Sequence, residues 1–187
     1  MYLCLDIQGH KEDRCLIHFD TEQGMYHSQK VMKRTQRMNP SIDVSKFYHT
    51  YALREIGFKS RIEFIEACLE DLREDGKKIG LVIIDGIADL VSEANNQIES
   101  NEIVQKLMTW TTVFNCHIIT VIHSNFGSDK PTGHLGSFLE KKTETQIELK
   151  FDSMTGKTMV SCKRSRNIPF KEFFFYLDDK TLPKFYE

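Results

Sequence analysis

The stretch Leu81-Val82-Ile83-Ile84, closed by Asp85-Gly86, limits the fold more than any other part of the chain. Four consecutive apolar residues cannot alternate between core and water. A strand built from them must be covered on both faces, as in a parallel sheet between helices. Cys15-Leu16-Ile17-His18-Phe19-Asp20 and His117-Ile118-Ile119-Thr120-Val121-Ile122-His123 read as further buried strands, and Phe47–Leu53, rich in aromatics, fits another.

Helical patterns separate these strands. Met25–Arg37 places Met25, Val31, Met32 and Met38 as apolar positions beside the basic Lys30, Lys33, Arg34 and Arg37, and Asn39-Pro40 ends it. Ser60-Arg61-Ile62-Glu63 has the form of a capping box. Ile62, Ile65, Leu69 and Leu72 follow at spacings of three and four, and Gly76 stands where the helix stops. Ser100–Phe114 carries Ile103, Val104, Leu107, Met108, Thr111 and Phe114 on one side. Asn125–Gly136 reads as an exposed loop and Phe138–Lys142 as a short helix. Thr145–Phe151, Thr158–Lys163 and Lys171–Leu177 alternate as strands, with Met154-Thr155-Gly156 as a hairpin turn.

Strand and helix thus alternate four and three times, which predicts an α/β fold: a doubly wound, mostly parallel core with antiparallel C-terminal strands at one edge. The 187 residues, 40% hydrophobic, suit one domain spanning 1–187. Lys and Arg number 25 against 27 Asp and Glu, which excludes a strongly basic nucleic-acid coat but not a local basic patch. No apolar run approaches the ~20 residues that cross a bilayer. Met1–Asp13 has no signal-peptide pattern. The five cysteines, Cys4, Cys15, Cys68, Cys116 and Cys162, lack zinc spacing and read as free thiols in a cytoplasmic protein.

Ligands of open α/β sheets bind beyond the carboxyl ends of the strands. The predicted strands end in Asp20-Thr21-Glu22-Gln23, Asp85-Gly86 and His123-Ser124-Asn125. As parallel neighbours they bring Glu22, Asp85 and His123 to one rim. Two carboxylates and an imidazole could hold a hard cation and activate a water. Each residue also has a plainer reading. Asp20 or Thr21 could cap the next helix. Asp85 could be a loop carboxylate before a tight turn, and His123 a satisfied strand-end histidine.

Leu81-Val82-Ile83-Ile84-Asp85 resembles a Walker B strand. Phe19-Asp20-Thr21-Glu22-Gln23 resembles the segment that carries the catalytic glutamate of RecA-like ATPases. Ile118–Asn125, followed by Gly133-His134-Leu135-Gly136-Ser137 and Lys141-Lys142-Thr143-Glu144-Thr145, is similar to the sensor strand and following loop of that family. Together, over Cys15 to about Leu177, these segments resemble the RecA/RepA-like ATPases of plasmids and mobile elements in Bacteroides-type bacteria.

The resemblance implies a RecA-like fold, ATP and Mg2+ as ligands, DNA as partner and self-association. Asp85 would position the magnesium ion. Glu22 would polarise the attacking water, and His123, with Ser124 and Asn125, would sense the terminal phosphate. Loop 125–135 would contact DNA. Arg164 and Arg166, in Lys163-Arg164-Ser165-Arg166-Asn167, would form a basic finger toward a neighbouring subunit's nucleotide; the plainer reading is a solvated strand end.

One part of the pattern is absent from these 187 residues. No Gly-x-x-x-x-Gly-Lys-Ser/Thr precedes the Glu22 strand, and Gly76-Lys77 and Gly156-Lys157-Thr158 belong to a helix end and a hairpin. Tyr2-Leu3-Cys4-Leu5-Asp6-Ile7 reads as a remnant of the helix that follows such a loop. On this resemblance the fold is incomplete at its N-terminus, by gene loss or as a fragment, and the chain alone is inactive. The alternative is a non-catalytic RecA-like module that binds DNA or a partner. A third reading makes Glu22, Asp85 and His123 a stand-alone metal site of a hydrolase.

Overall fold

The computed structural model describes residues 14–124 and 131–186. Four strand–helix units come first: β1 (Arg14–Asp20), α1 (Met25–Met38), β2 (Tyr48–Ala52), α2 (Phe58–Glu74), β3 (Lys78–Asp85), α3 (Gln97–Val113), β4 (His117–Val121) and α4 (Gly133–Lys142). Four strands close the chain: β5 (Thr145–Asp152), β6 (Lys157–Ser165), β7 (Phe173–Leu177) and β8 (Pro183–Tyr186). The first four strands form a parallel sheet in the order β2-β1-β3-β4.

The apolar run sits where its composition requires. β3 pairs with β1 on one side and β4 on the other. Val82 and Ile84 are fully buried, beside Ile17 and Phe19 of β1. They face Ile65 and Leu69 of α2 and Ile103, Val104, Leu107 and Trp110 of α3 in one core. Each such side chain contributes roughly 1.5–3 kcal/mol by leaving water. The opposite face carries a smaller cluster of Leu16, Val44, Tyr48 and Leu81.

Several local expectations shift. The Ser60–Glu63 capping box does not form, because α2 starts earlier, at Phe58 behind Gly57. Arg61 instead donates to the carbonyls of Leu53, Arg54 and Asp89 and clamps two loops. The stop at Gly76 holds: its N–H donates to the Arg73 carbonyl and that of Lys77 to the Leu72 carbonyl. Helix α3 begins at Gln97, where the Asn96 side chain accepts from the N–H groups of Ile98 and Glu99. Its inner face holds Trp110, while Met108 is exposed.

Helix α1 does not bury Met25, which is 67% exposed; its buried residues are Ser28 and Thr35. Ser28 donates to the Asp20 carboxylate at the carboxyl end of β1. Strand β4 is half-exposed rather than buried, with Ile119 and Val121 open to solvent. It lies at the edge of the parallel sheet.

The closing strands do not extend the edge of the parallel sheet. They form a separate antiparallel sheet, β5-β6-β7-β8, whose last strand the alternation pattern missed. The Met154–Gly156 turn holds: Asp152 accepts from Met154 N–H and Thr155 Oγ1, and Gly156 N–H donates to the Asp152 carbonyl. Cys68, Cys116 and Cys162 are free thiols, and burial pushes Cys116 up to about 11. Cys4 and the Tyr2–Ile7 segment lie outside the described residues. Among the described residues no helix is long and apolar enough to cross a membrane.

Candidate functional site

The parallel register decides which polar residues meet. Asp20 at the end of β1 pairs with Asp85 at the end of β3, and Asp85 pairs in turn with Val121 of β4. The three strand ends therefore stand side by side, and the loops leaving them carry Glu22, Gly86 and His123.

Asp20, fully buried, anchors its loop. Its carboxylate accepts from Glu22 N–H at 3.2 Å, Gln23 N–H at 2.8 Å and Ser28 Oγ at 2.6 Å. Asp20 does not cap α1, whose N-cap is Gly24 with no side-chain cap hydrogen bond; its carboxylate instead ties the loop to Ser28 in the first turn. The Thr21 hydroxyl accepts from Gly86 N–H at 2.8 Å and lies 2.9 Å from both Gly86 O and Asp89 Oδ2. Thr21 N–H donates to the Asp85 carbonyl at 2.6 Å. The β1 and β3 loops are thus cross-braced beside the candidate residues.

Glu22 projects from that brace. Its Oε1 lies 3.3 Å from His123 Nε2, with 40% of the Glu22 side chain and 78% of the His123 side chain exposed. A Cβ on Gly86 would stand 2.5 Å from Glu22 Oε1. Glycine at position 86 is what lets the carboxylate lie over the β3 loop. The Asp85–Gly86 peptide is cis.

Asp85 is partly buried. Burial first, then the Asp20 and Glu22 carboxylates, push its acid strength down and its pKa up; His18 and His123 oppose this. His18, two residues before Asp20, is 4% exposed and its Nδ1 lies 3.2 Å from Tyr48 OH. Burial holds its pKa below the ordinary value, against the pull of Asp20 and Asp85. Sequence reading passed over His18 because it sits inside an apolar run. Its phase with Asp20 in an alternating strand was the available signal.

Among the described residues no group of three or more His, Cys, Asp or Glu side chains is arranged to hold a metal ion. The stand-alone metal site expected from Glu22, Asp85 and His123 is therefore not formed: Glu22 turns to His123 instead. A magnesium ion that accompanies a nucleotide makes a smaller demand, since one or two carboxylates and the phosphates suffice. Asp85 fits that demand, as a carboxylate whose ionisation its acidic neighbours oppose and a cation would favour.

The other predicted residues lie apart from this pair. Ser124 forms an isolated bridge with Pro131, and the His123 carbonyl accepts from Thr132 N–H and Oγ1. Asn125 and most of loop 125–135 lie outside the described residues. The end of that stretch is not loop: α4 starts at Gly133, with φ +65°, where a Cβ would strike the Ala94 carbonyl. Arg164 donates to the Glu140 carbonyl at 3.0 Å and Arg166 to the Lys141 carbonyl at 3.1 Å. Both arginines are exposed and engage the C-terminal end of α4, where cations suit unpaired carbonyls.

No family model matches the sequence, and no curated protein is a detectable relative. Among solved structures, the crystal structure of the RadB recombinase superposes with a TM-score of 0.60 at 17% identity, over 90% of this chain and 77% of that one. The parallel sheet, the antiparallel closing strands and this superposition together make the fold RecA-like.

Proposed function

We propose that the chain is the core of a RecA-like, DNA-dependent ATPase of the helicase or mobilisation and replication type, with the rim at the ends of β1, β3 and β4 as its nucleotide end. The observation that carries the reading is the meeting of Glu22 with His123 beside Asp85, at the carboxyl ends of adjacent parallel strands. The RecA-like fold supports it; a plasmid or mobile-element setting rests on the sequence resemblance.

In this reading Glu22 is the base toward water. Its carboxylate is partly exposed, held on a braced loop, and lies 3.3 Å from the His123 imidazole. His123, the more exposed partner, turns toward the terminal phosphate, with Ser124 and Asn125 following it. Asp85 would hold Mg2+, which when bound supplies charge neutralisation between the phosphates. Arg164 and Arg166 would serve a neighbouring subunit's nucleotide only by leaving the carbonyls of Glu140 and Lys141. Loop 125–135 would face DNA.

The test is Mg2+-dependent binding of a fluorescent ATP analogue. The 187 residues hold no phosphate-loop sequence, so millimolar affinity and no measurable turnover are expected. Asp85→Ala should remove the Mg2+ dependence and Glu22→Gln should keep it. If no Mg2+-dependent nucleotide binding occurs at millimolar levels, the second reading replaces the first: a non-catalytic RecA-like module for DNA or a partner. That second reading draws on the arginines' engagement within the chain.

A further inference from the structure

Helix α1 has two unlike sides. Ser28, Val31, Met32 and Thr35 recur at helical spacings and turn toward the sheet. Ser28 and Thr35 are buried, and Met32 packs on the cluster of Leu16, Val44, Tyr48 and Leu81. Lys30, Lys33, Arg34 and Arg37 recur at the same spacings half a turn away, with Tyr26 on the same outer stripe. Lys30, Lys33 and Arg37 are exposed, and Arg34 is half-buried. The helix contains no Asp or Glu.

We propose that this outer stripe of α1 binds the phosphate backbone of a nucleic acid. Among the described residues none of its four cations is held in an ion pair, whereas Arg73, Lys106, Lys150 and Lys184 each stand against a carboxylate. The carboxylates before and after the helix are already engaged. Asp20 accepts from Ser28 on the inner side, Glu22 lies against His123, and Asp43 accepts from Ser45 N–H and Oγ. Arg34 Nε is closed off from water and has no hydrogen-bond partner. A cation left in that state is costly, and an anion beside the guanidinium relieves it. In a chain of net charge −2, the stripe is segregated positive charge, the footprint of a polyanion partner.

Spacing selects among polyanions. From Lys30 to Arg37 the stripe runs about 10 Å along the helix axis. One nucleic-acid strand carries a phosphate about every 3.4 Å of duplex axis, so about three fall within that length. Carboxylates on one face of a partner helix recur only about every 5–6 Å, and offer about two. A membrane surface asks for apolar side chains among the cations. Here Val31 and Met32 lie half-buried on the sheet side, and the exposed Met25 stands off the stripe at the helix start. The Lys30 ammonium lies 4.6 Å from the centroid of the Tyr26 ring, which keeps it on the outer side. The inference rests on the DNA half of the functional reading and not on its ATP half, and its test uses no nucleotide.

The experiment is fluorescence anisotropy of the full chain with a labelled duplex and a labelled single strand of the same sequence, from about 50 to 200 mM salt. Both should bind, and both should weaken as salt rises. Lys33→Gln with Arg37→Gln should weaken binding about tenfold or more at the lower salt, and should lower the slope of log affinity against log salt by about two. Lys157→Gln with Lys184→Gln removes the same charge elsewhere and should change neither. Polyglutamate and phosphatidylserine vesicles should compete about tenfold less well per charge. Circular dichroism confirms that each variant is folded. Equal losses in the two double variants, or equal competition by polyglutamate or vesicles, would overturn the proposal. If the α1 variant binds as the parent does, this proposal falls and the DNA reading survives on loop 125–135. If the parent itself does not bind at the lower salt, both fall.

Discussion

At the scale of single residues, the candidate site depends on what is missing at position 86 as much as on what is present at 22. The nearest atoms to a Cβ on Gly86 are all from the Glu22 side chain. Gly86→Ala should therefore push Glu22 off His123 at a small cost to the fold, about 1 kcal/mol or less. The clash is with the far end of a flexible side chain, so Glu22→Ala should recover most of that loss. Urea unfolding of the two single variants and the double variant measures the coupling. Additive effects would mean that Gly86 does not position Glu22. Glu22 itself was legible from its place after an apolar strand. Its contact with His123, 101 residues away in sequence, was not, because no local pattern encodes a loop's direction.

At the scale of elements, caps separate what sequence motifs suggest from what helices use. Ser60-Arg61-Ile62-Glu63 has the letters of a capping box, but the helix has already begun at Phe58, so Ser60 caps nothing. Asn96 has Glu99 three residues on, but that carboxylate accepts from Ser92, and it is the Asn96 carboxamide that accepts from two N–H groups. Asn96→Ala should cost about 0.5–2 kcal/mol, and Ser60→Ala, at a helical position, close to nothing. Urea midpoints of the two variants decide this, and equal losses would contradict it. Strand identity was easier to read than helix starts. A strand such as Lys78–Asp85 is fixed by a run of burial, whereas a helix start is fixed by one or two hydrogen bonds.

At the scale of the molecule, the two sheets differ in how they are held. In the parallel sheet, β1 and β3 are paired on both edges and buried on both faces. In the antiparallel sheet, Ile147, Leu149 and Phe151 of β5 are 56%, 64% and 69% exposed. Hydrogen exchange should follow that difference, with amides of β1 and β3 protected longest and those of β5 and β8 exchanging by local opening. Uniform protection across both sheets would show a single cooperative unit. The two sheets were not separable from the sequence, since alternation identifies strands but not the sheet they join.

The sequence alone determined the strand–helix order, the parallel character of the core and the rim to which Glu22, Asp85 and His123 belong. Each follows from local spacing and from the cost of exposing an apolar run. Only the tertiary structure decided that Glu22 meets His123 while Asp85 stands among carboxylates, and that Arg164 and Arg166 close a helix end. It also decided that β5–β8 form their own sheet. These depend on register and on loop direction, which are set by contacts between residues far apart in the chain.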